Sequence, residues 1–202
     1  MKQLLRDHPQ SVVILIGAGL DSRAYRFETG SWVEVDETGI IEYKNKVLPA
    51  SECRNKLERI AIDFEKDKLS DKLSPYTGRL YTIIIIEGVF LYLNHHQKTE
   101  LLDTLTTLFP KHTLLCDLMK KDFFIKYGGE LHKKLVEQGT AFTDIEQEPD
   151  RLFIDKWYKQ TFATSTIRTA KNLGLVRIPG LLLNIFFKKL ERGYAVYCFV
   201  HN

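Results

Sequence analysis

The sequence predicts an α/β protein built on a doubly wound, mostly parallel sheet with helices on both faces. Three observations carry this expectation. Short apolar runs alternate with segments of helical spacing through the first two-thirds of the chain. The first run, Val12–Ile16, passes into the turn Gly17-Ala18-Gly19 and then into a helical pattern. Four of the runs end on an acidic residue: Asp36, Asp63, Glu87 and Asp117. Ligands of open α/β sheets bind outside the carboxyl ends of the strands, so these four are expected along one rim.

The elements follow in order. Val12–Ile16 is the first strand, with a helix near Ser22–Phe27. Trp32–Asp36 is the second, followed by a helix with apolar residues at Ile40, Ile41, Tyr43, Val47 and Leu48. Arg59–Asp63 is the third strand and Lys66–Leu73 a short helix. Thr82–Glu87, with four consecutive isoleucines, fits a central strand covered on both faces. A helix from about His96 to Leu108 places Leu101, Leu102, Leu105 and Leu108 together and stops at Pro110; Thr113–Asp117 is the fifth strand. Residues 119–170 read as a mostly helical segment on the substrate side. Strands are expected at Leu175–Ile178 and Tyr194–Val200, paired as a closing hairpin, within a single domain spanning residues 1–202.

The glycine turn lets a ligand approach the backbone where a Cβ would clash, and the helix behind it offers unpaired N–H groups. It departs from the dinucleotide pattern G-x-G-x-x-G, because Ser22 stands at the third glycine and Asp21 would repel a pyrophosphate. The loop therefore favours a nucleoside ligand without phosphates, such as S-adenosylmethionine. Asp36 stands 19 residues after Gly17, where a carboxylate can accept from both hydroxyls of a ribose diol.

Composition narrows the partners. The chain has 202 residues, of which 44% are hydrophobic and 27% charged, as in ordinary globular domains. A formal charge of +3 gives no reason to expect nucleic acid. Lys120, Lys121, Lys126, Lys133 and Lys134 are interleaved with acids and read as a solvated face. The apolar stretch Ile83–Leu93 contains Glu87 and is too short for a membrane span, and MKQLLRDHPQ lacks the apolar core of a signal peptide. Cys53, Cys116 and Cys198 read as thiols of a reducing, cytoplasmic compartment. The six histidines show no metal-binding spacing, and His95-His96 reads as a polar helix start.

The segments GAGLDSRAYRF, WVEVD, ERIAIDF and IIEGVFLYL resemble the leucine carboxyl methyltransferase family, including its bacterial polyketide-type O-methyltransferase branch. Looser likeness continues through EQGTAF, NLGLVRIP and GYAVYCFV. The resemblance implies a Rossmann-like class I methyltransferase fold, with a seven-stranded, mostly parallel sheet whose last strand is antiparallel. It implies S-adenosyl-L-methionine as cofactor and S-adenosyl-L-homocysteine as product. Residue by residue, it places Gly17, Ala18 and Gly19 beneath the methionine part of the cofactor, with Asp21 and Arg23 shaping the loop. Asp36 falls at the ribose, Asp63 and Phe64 at the adenine, and Glu87 with Gly88 near the methionine ammonium. Glu87, after four isoleucines, would be costly to bury without a cation, and the ligand would supply one. Family members usually carry helices ahead of the first strand that supply a cofactor-binding arginine and a substrate-side lid; here Met1 to Ser11 precede it.

Each position also has a plainer reading. Phe64 would serve as a core aromatic, Arg23 as a structural partner of Asp21 or Asp36, Tyr92 as an anchor for the following helix, and Asp117 as a cap of the next segment. Tyr92 and Asp117 are the candidates for a catalytic base, and no histidine is placed at a strand end. A carboxylate acceptor needs no base, so the sequence leans towards methylation of a carboxylate over a hydroxyl, on a small molecule or a protein. The alternatives are a non-catalytic or truncated cofactor-binding protein and a nicotinamide-dependent oxidoreductase, the latter disfavoured by Asp21 and Ser22.

Overall fold

The computed structural model describes residues 1–78, 81–174 and 193–202. Seven strands form one sheet: β1 (Val12–Ile16), β2 (Ser31–Glu37), β3 (Leu57–Ile62), β4 (Thr82–Ile86), β5 (His112–Met119), β6 (Lys159–Ser165) and β7 (Tyr194–His201). Their order is β3-β2-β1-β4-β5-β7-β6. β1 pairs in parallel with β2 and β4, β2 pairs in parallel with β3, and β6 pairs antiparallel with β7. This is the seven-stranded, mostly parallel sheet with antiparallel final strands that the resemblance implies.

The chain falls into two compact units. The first comprises Met1–Glu87, Leu102–Leu114 and His201–Asn202. Every residue of β1 and β4 is buried there, as expected of strands covered on both faces. Helix α1 (Lys2–Asp7) precedes β1, and α2 (Arg23–Arg26), α3 (Thr38–Val47) and α4 (Leu69–Leu73) lie in the successive connections from β1 to β4. α5 (His95–Leu108) begins at the histidine pair, and its Leu102 and Leu105 are fully buried. α1 is an element the sequence reading did not place.

The second unit comprises Gly88–Leu101 and Leu115–Val200. Its core is aromatic: Phe153 stacks on Phe199 at 4.5 Å and meets Phe90 edge-on at 5.3 Å. Short helices α6 (Lys121–Phe123), α7 (Gly129–Glu137), α8 (Arg151–Asp155) and α9 (Thr166–Asn172) lie in this unit. Lys121, Lys126, Lys133 and Lys134 are exposed, in keeping with a solvated face. The segment read as mostly helical also contains β6. This strand lies at the sheet edge with most side chains exposed, so KQTFATS carries little of the apolar alternation that marks a half-buried strand. β6 supplies an antiparallel partner of β7, whereas the expected partner Leu175–Ile178 lies outside the described residues.

Candidate functional site

β1 delivers the chain into the glycine turn at its carboxyl end. Gly17 and Gly19 have φ of 70° and 45°, a region that glycine enters without a Cβ penalty. The N–H groups of Gly17 and Ala18 both donate to Val35 O, at 2.9 and 3.2 Å, so the turn is laced to β2. Gly19 N–H donates to Asp36 Oδ2 at 2.6 Å, and Glu37 N–H donates to Asp36 Oδ1 at 2.7 Å. Asp36 is buried, and its carboxylate is oriented by two backbone donors. Each of its oxygens has capacity for a second hydrogen bond.

Across the turn stands an ionic cluster. Arg23 donates from its backbone N–H to Asp21 Oδ1 at 2.6 Å and from Nε to Asp21 Oδ2 at 2.5 Å. Its two terminal nitrogens reach the two oxygens of Glu87, at 3.1 and 2.5 Å, in a bidentate pair. Burial works to lower the Arg23 pKa, but the bonds and charges of Asp21 and Glu87 outweigh it and hold the guanidinium above its ordinary range. Gly17, Ala18, Gly19, Asp21, Arg23 and Glu87 together line a pocket of about 300 Å³.

One sequence expectation is corrected here. Glu87 is not a buried acid awaiting a ligand cation: its side chain is 39% exposed and Arg23 is its partner. Of the two partners expected for Arg23, the structure gives Asp21 and not Asp36, and it adds Glu87, which the sequence did not suggest.

Asp63 and Phe64 follow the end of β3 and are not part of the pocket lining. Asp63 receives Lys66 Nζ at 2.6 Å and Glu65 N–H at 3.0 Å, and the Lys66 bond draws its pKa down. Phe64 is 46% exposed, which removes the core-aromatic reading.

The remaining candidates belong to the second unit. Gly88 N–H donates to Asp117 Oδ1 at 2.7 Å, and Tyr194 donates its hydroxyl to Asp117 Oδ2. Asp117 lies inside β5, buried, and ties two segments together instead of capping the next one. Tyr92 ends a short 3₁₀ turn, Phe90–Tyr92, with its ring 5.3 Å from Phe142. The expectation of no histidine at a strand end also fails: His112 opens β5 and His201 closes β7, their rings stacked at 5.6 Å. They lie by the amino end of β5, and neither lines the pocket at the glycine turn.

Sequence reasoning missed three polar residues beneath the turn: Glu34, Lys44 and Arg59, all fully buried. A signal was present, since Glu34 stands between two valines in WVEVD and Arg59, of opposite sign, opens RIAID. Among the described residues no group of histidine, cysteine and acidic side chains is arranged to hold a metal. No helix among them is long and apolar enough to cross a membrane, and Cys53, Cys116 and Cys198 are not joined in disulfides.

Comparison with known proteins finds methyltransferase relatives and a family model that matches the chain. A Streptomyces coelicolor protein is 31% identical over 107 residues, covering 48% of this chain and 34% of that protein. A Mycobacterium sp. (strain JLS) protein is 36% identical over 150 residues, covering 68% and 48%. Both bear the name "Putative S-adenosyl-L-methionine-dependent methyltransferase". The tetracenomycin polyketide synthesis O-methyltransferase TcmP of Streptomyces glaucescens is 26% identical over 118 residues, covering 57% and 42%. The chain thus spans about a third to a half of these relatives' length. Among solved structures, a DUF574-family protein from Streptomyces avermitilis superposes with a TM-score of 0.64 at 10% identity, over 99% of this chain and 79% of that one. LepI in complex with SAM gives 0.57 at 10% identity, over 100% and 46%; both likenesses are of fold. The leucine carboxyl methyltransferase family model matches residues 2–106, just over half of the 202 residues. By its sequence the chain belongs to the leucine carboxyl methyltransferase family.

Proposed function

We propose that the chain is an S-adenosylmethionine-dependent O-methyltransferase that acts on a carboxylate or hydroxyl acceptor. The observation that carries the reading is the glycine turn whose Gly19 amide is fixed by Asp36, beside the pocket lined by Asp21, Arg23 and Glu87. The residues suit the cofactor. Two acids and one arginine leave the pocket with one net negative charge, which favours a ligand with a cationic sulfur and disfavours a pyrophosphate. Asp36 retains acceptor capacity for a ribose diol. TcmP, named for O-methylation, and LepI, solved with SAM, support the same reading.

In this account the turn Gly17-Ala18-Gly19 admits the methionine part close to the backbone. Asp36 accepts from the ribose hydroxyls, Asp63 accepts from the adenine amino group, and the exposed ring of Phe64 offers that base an apolar face. Glu87, already paired with Arg23, would accept the ammonium as a second cation on its exposed side, and Gly88, its N–H already directed to Asp117, contributes only backbone space. When bound, the cofactor supplies a methyl carbon made electrophilic by its sulfonium sulfur. The chain's own task is to hold the acceptor in line and exclude water. A carboxylate acceptor arrives ionised and requires no proton transfer; a hydroxyl would require a base, for which Tyr92 and Asp117 are the candidates.

The test is transfer of a labelled methyl group from S-adenosylmethionine to a panel of carboxylic acids, phenols and aliphatic alcohols. Methyl ester formation supports a carboxylate acceptor and ether formation a hydroxyl acceptor. Cofactor binding with no transfer to any class would move the chain to the non-catalytic reading.

A further inference from the structure

The parallel register of β2 and β3 sets Arg59 opposite Glu34, and Lys44 of α3 closes on the same carboxylate. Arg59 Nε lies 2.8 Å and Lys44 Nζ 2.9 Å from Glu34 Oε2, with the three side chains 0–2% exposed. Glu34 Oε1 has no hydrogen-bond partner among the described residues. Two cations thus share one oxygen in the interior. Such an arrangement is expensive to desolvate, and well-packed apolar residues of similar volume are commonly as stable or more so. Stability alone therefore does not account for the cluster.

Its outer contacts reach the glycine-turn segment and the end of α3. Lys44 Nζ lies 3.5 Å from Ala18 O, inside the glycine turn. Arg59 donates to the Tyr25 hydroxyl at 2.9 Å, to Asn45 Oδ1 at 2.8 Å and to Leu48 O at 2.7 Å. The Tyr25 hydroxyl stands 2.9 Å from Pro49 O and 3.0 Å from Leu48 O, which ties α2 to the end of α3. Asn55 adds donors to Ala24 O and Phe27 O at 2.7 and 2.6 Å. The contacts through Lys44, Tyr25 and Asn55 hold the stretch from Ala18 to Phe27, which carries Asp21 and Arg23, while those of Arg59 to Asn45 and Leu48 fix α3 and its end. None of Glu34, Lys44 and Arg59 lines the pocket itself.

We infer that Glu34, Lys44 and Arg59 form a buried clamp that holds the glycine turn and the Arg23 segment in ligand-ready geometry, with Lys44 a positioning residue acting through Ala18. The inference rests on the reading that this turn binds S-adenosylmethionine. Without the clamp the segment samples other conformations, and ligand binding must supply the ordering that the cluster otherwise provides.

The experiment compares wild type, Lys44→Met, Lys44→Arg and the triple variant Glu34→Leu/Lys44→Met/Arg59→Met. The readouts are thermal unfolding, amide hydrogen exchange of residues 17–27 without ligand, and S-adenosylhomocysteine titration. The triple variant is expected to unfold within a few degrees of wild type. Exchange across the segment should rise about tenfold and affinity fall about tenfold, equivalent to roughly 1.4 kcal/mol. Lys44→Arg, which keeps donors, should retain more protection than Lys44→Met. A folded triple variant with unchanged exchange and affinity would overturn the clamp. If the triple variant does not fold, equal exchange in Lys44→Met and wild type would do the same. Should wild type itself fail to bind S-adenosylhomocysteine, the cofactor reading falls, while the ligand-free exchange still decides the clamp.

Discussion

Replacing Asp36 with asparagine tests the site at its most constrained point. In wild type one carboxylate oxygen accepts from Gly19 N–H at 2.6 Å and the other from Glu37 N–H at 2.7 Å. An asparagine side chain offers one acceptor and one donor, so whichever way it turns, its NH₂ meets a backbone N–H. One charge-assisted bond is lost and a buried donor is left facing another. Bonds to charged groups are worth about 1.5–3 kcal/mol each, so stability should fall by roughly 2–3 kcal/mol. Affinity should fall further, because in the proposed complex the carboxylate also accepts from both ribose hydroxyls: two such bonds amount to about 3–6 kcal/mol, or roughly a hundredfold or more in Kd. Urea unfolding and S-adenosylhomocysteine titration on the same preparation separate the two effects. A folded Asp36→Asn protein that binds within about twofold of wild type would refute the reasoning.

Other consequences follow from the same geometry. Arg23 joins two acids where the proposed complex places the methionine part of the cofactor, so Arg23→Gln should weaken S-adenosylhomocysteine far more than 5′-methylthioadenosine, which lacks the amino-acid tail. Equal losses for both ligands, measured by titration, would make Arg23 purely structural. Phe64 is exposed, so Phe64→Ala should leave the unfolding midpoint within about 0.5 kcal/mol of wild type while lowering affinity for both adenine-containing ligands. His112 is buried with its Nδ1 2.6 Å from Phe109 O, and burial pushes its pKa down to about 4. Between that value and the ordinary 6.5 the unfolded chain binds the extra proton, so stability rises with pH across the window. The contribution is complete above about 6.5 and lost as pH falls to about 4, amounting to roughly 3 kcal/mol at 1.36 kcal/mol per pH unit. Denaturant titrations at several pH values should show this slope in wild type and lose it in His112→Asn.

Much of this architecture was legible because its signals are local. Val12–Ile16 and the isoleucine run Thr82–Ile86 are central strands, and five-residue apolar runs beside glycine have few other uses. β6 was hidden because an edge strand needs no apolar alternation, and Lys159–Ser165 has almost none. Asp36 was readable from its distance to the glycine turn. Glu87 was found as a position but misjudged in its environment, because its cation, Arg23, lies 64 residues away along the chain and meets it only through the fold. Lys44 was hidden for a similar reason: a lysine on a helix reads as solvated, and only the register of Glu34 against Arg59 shows that it faces a buried charge.

The most direct measurement is a calorimetric titration of the wild-type chain with S-adenosylmethionine, S-adenosylhomocysteine and a nicotinamide dinucleotide. The account predicts micromolar binding of the first two at one site per chain, and no measurable heat with the dinucleotide. Binding of the dinucleotide, or of none of the three, would contradict it.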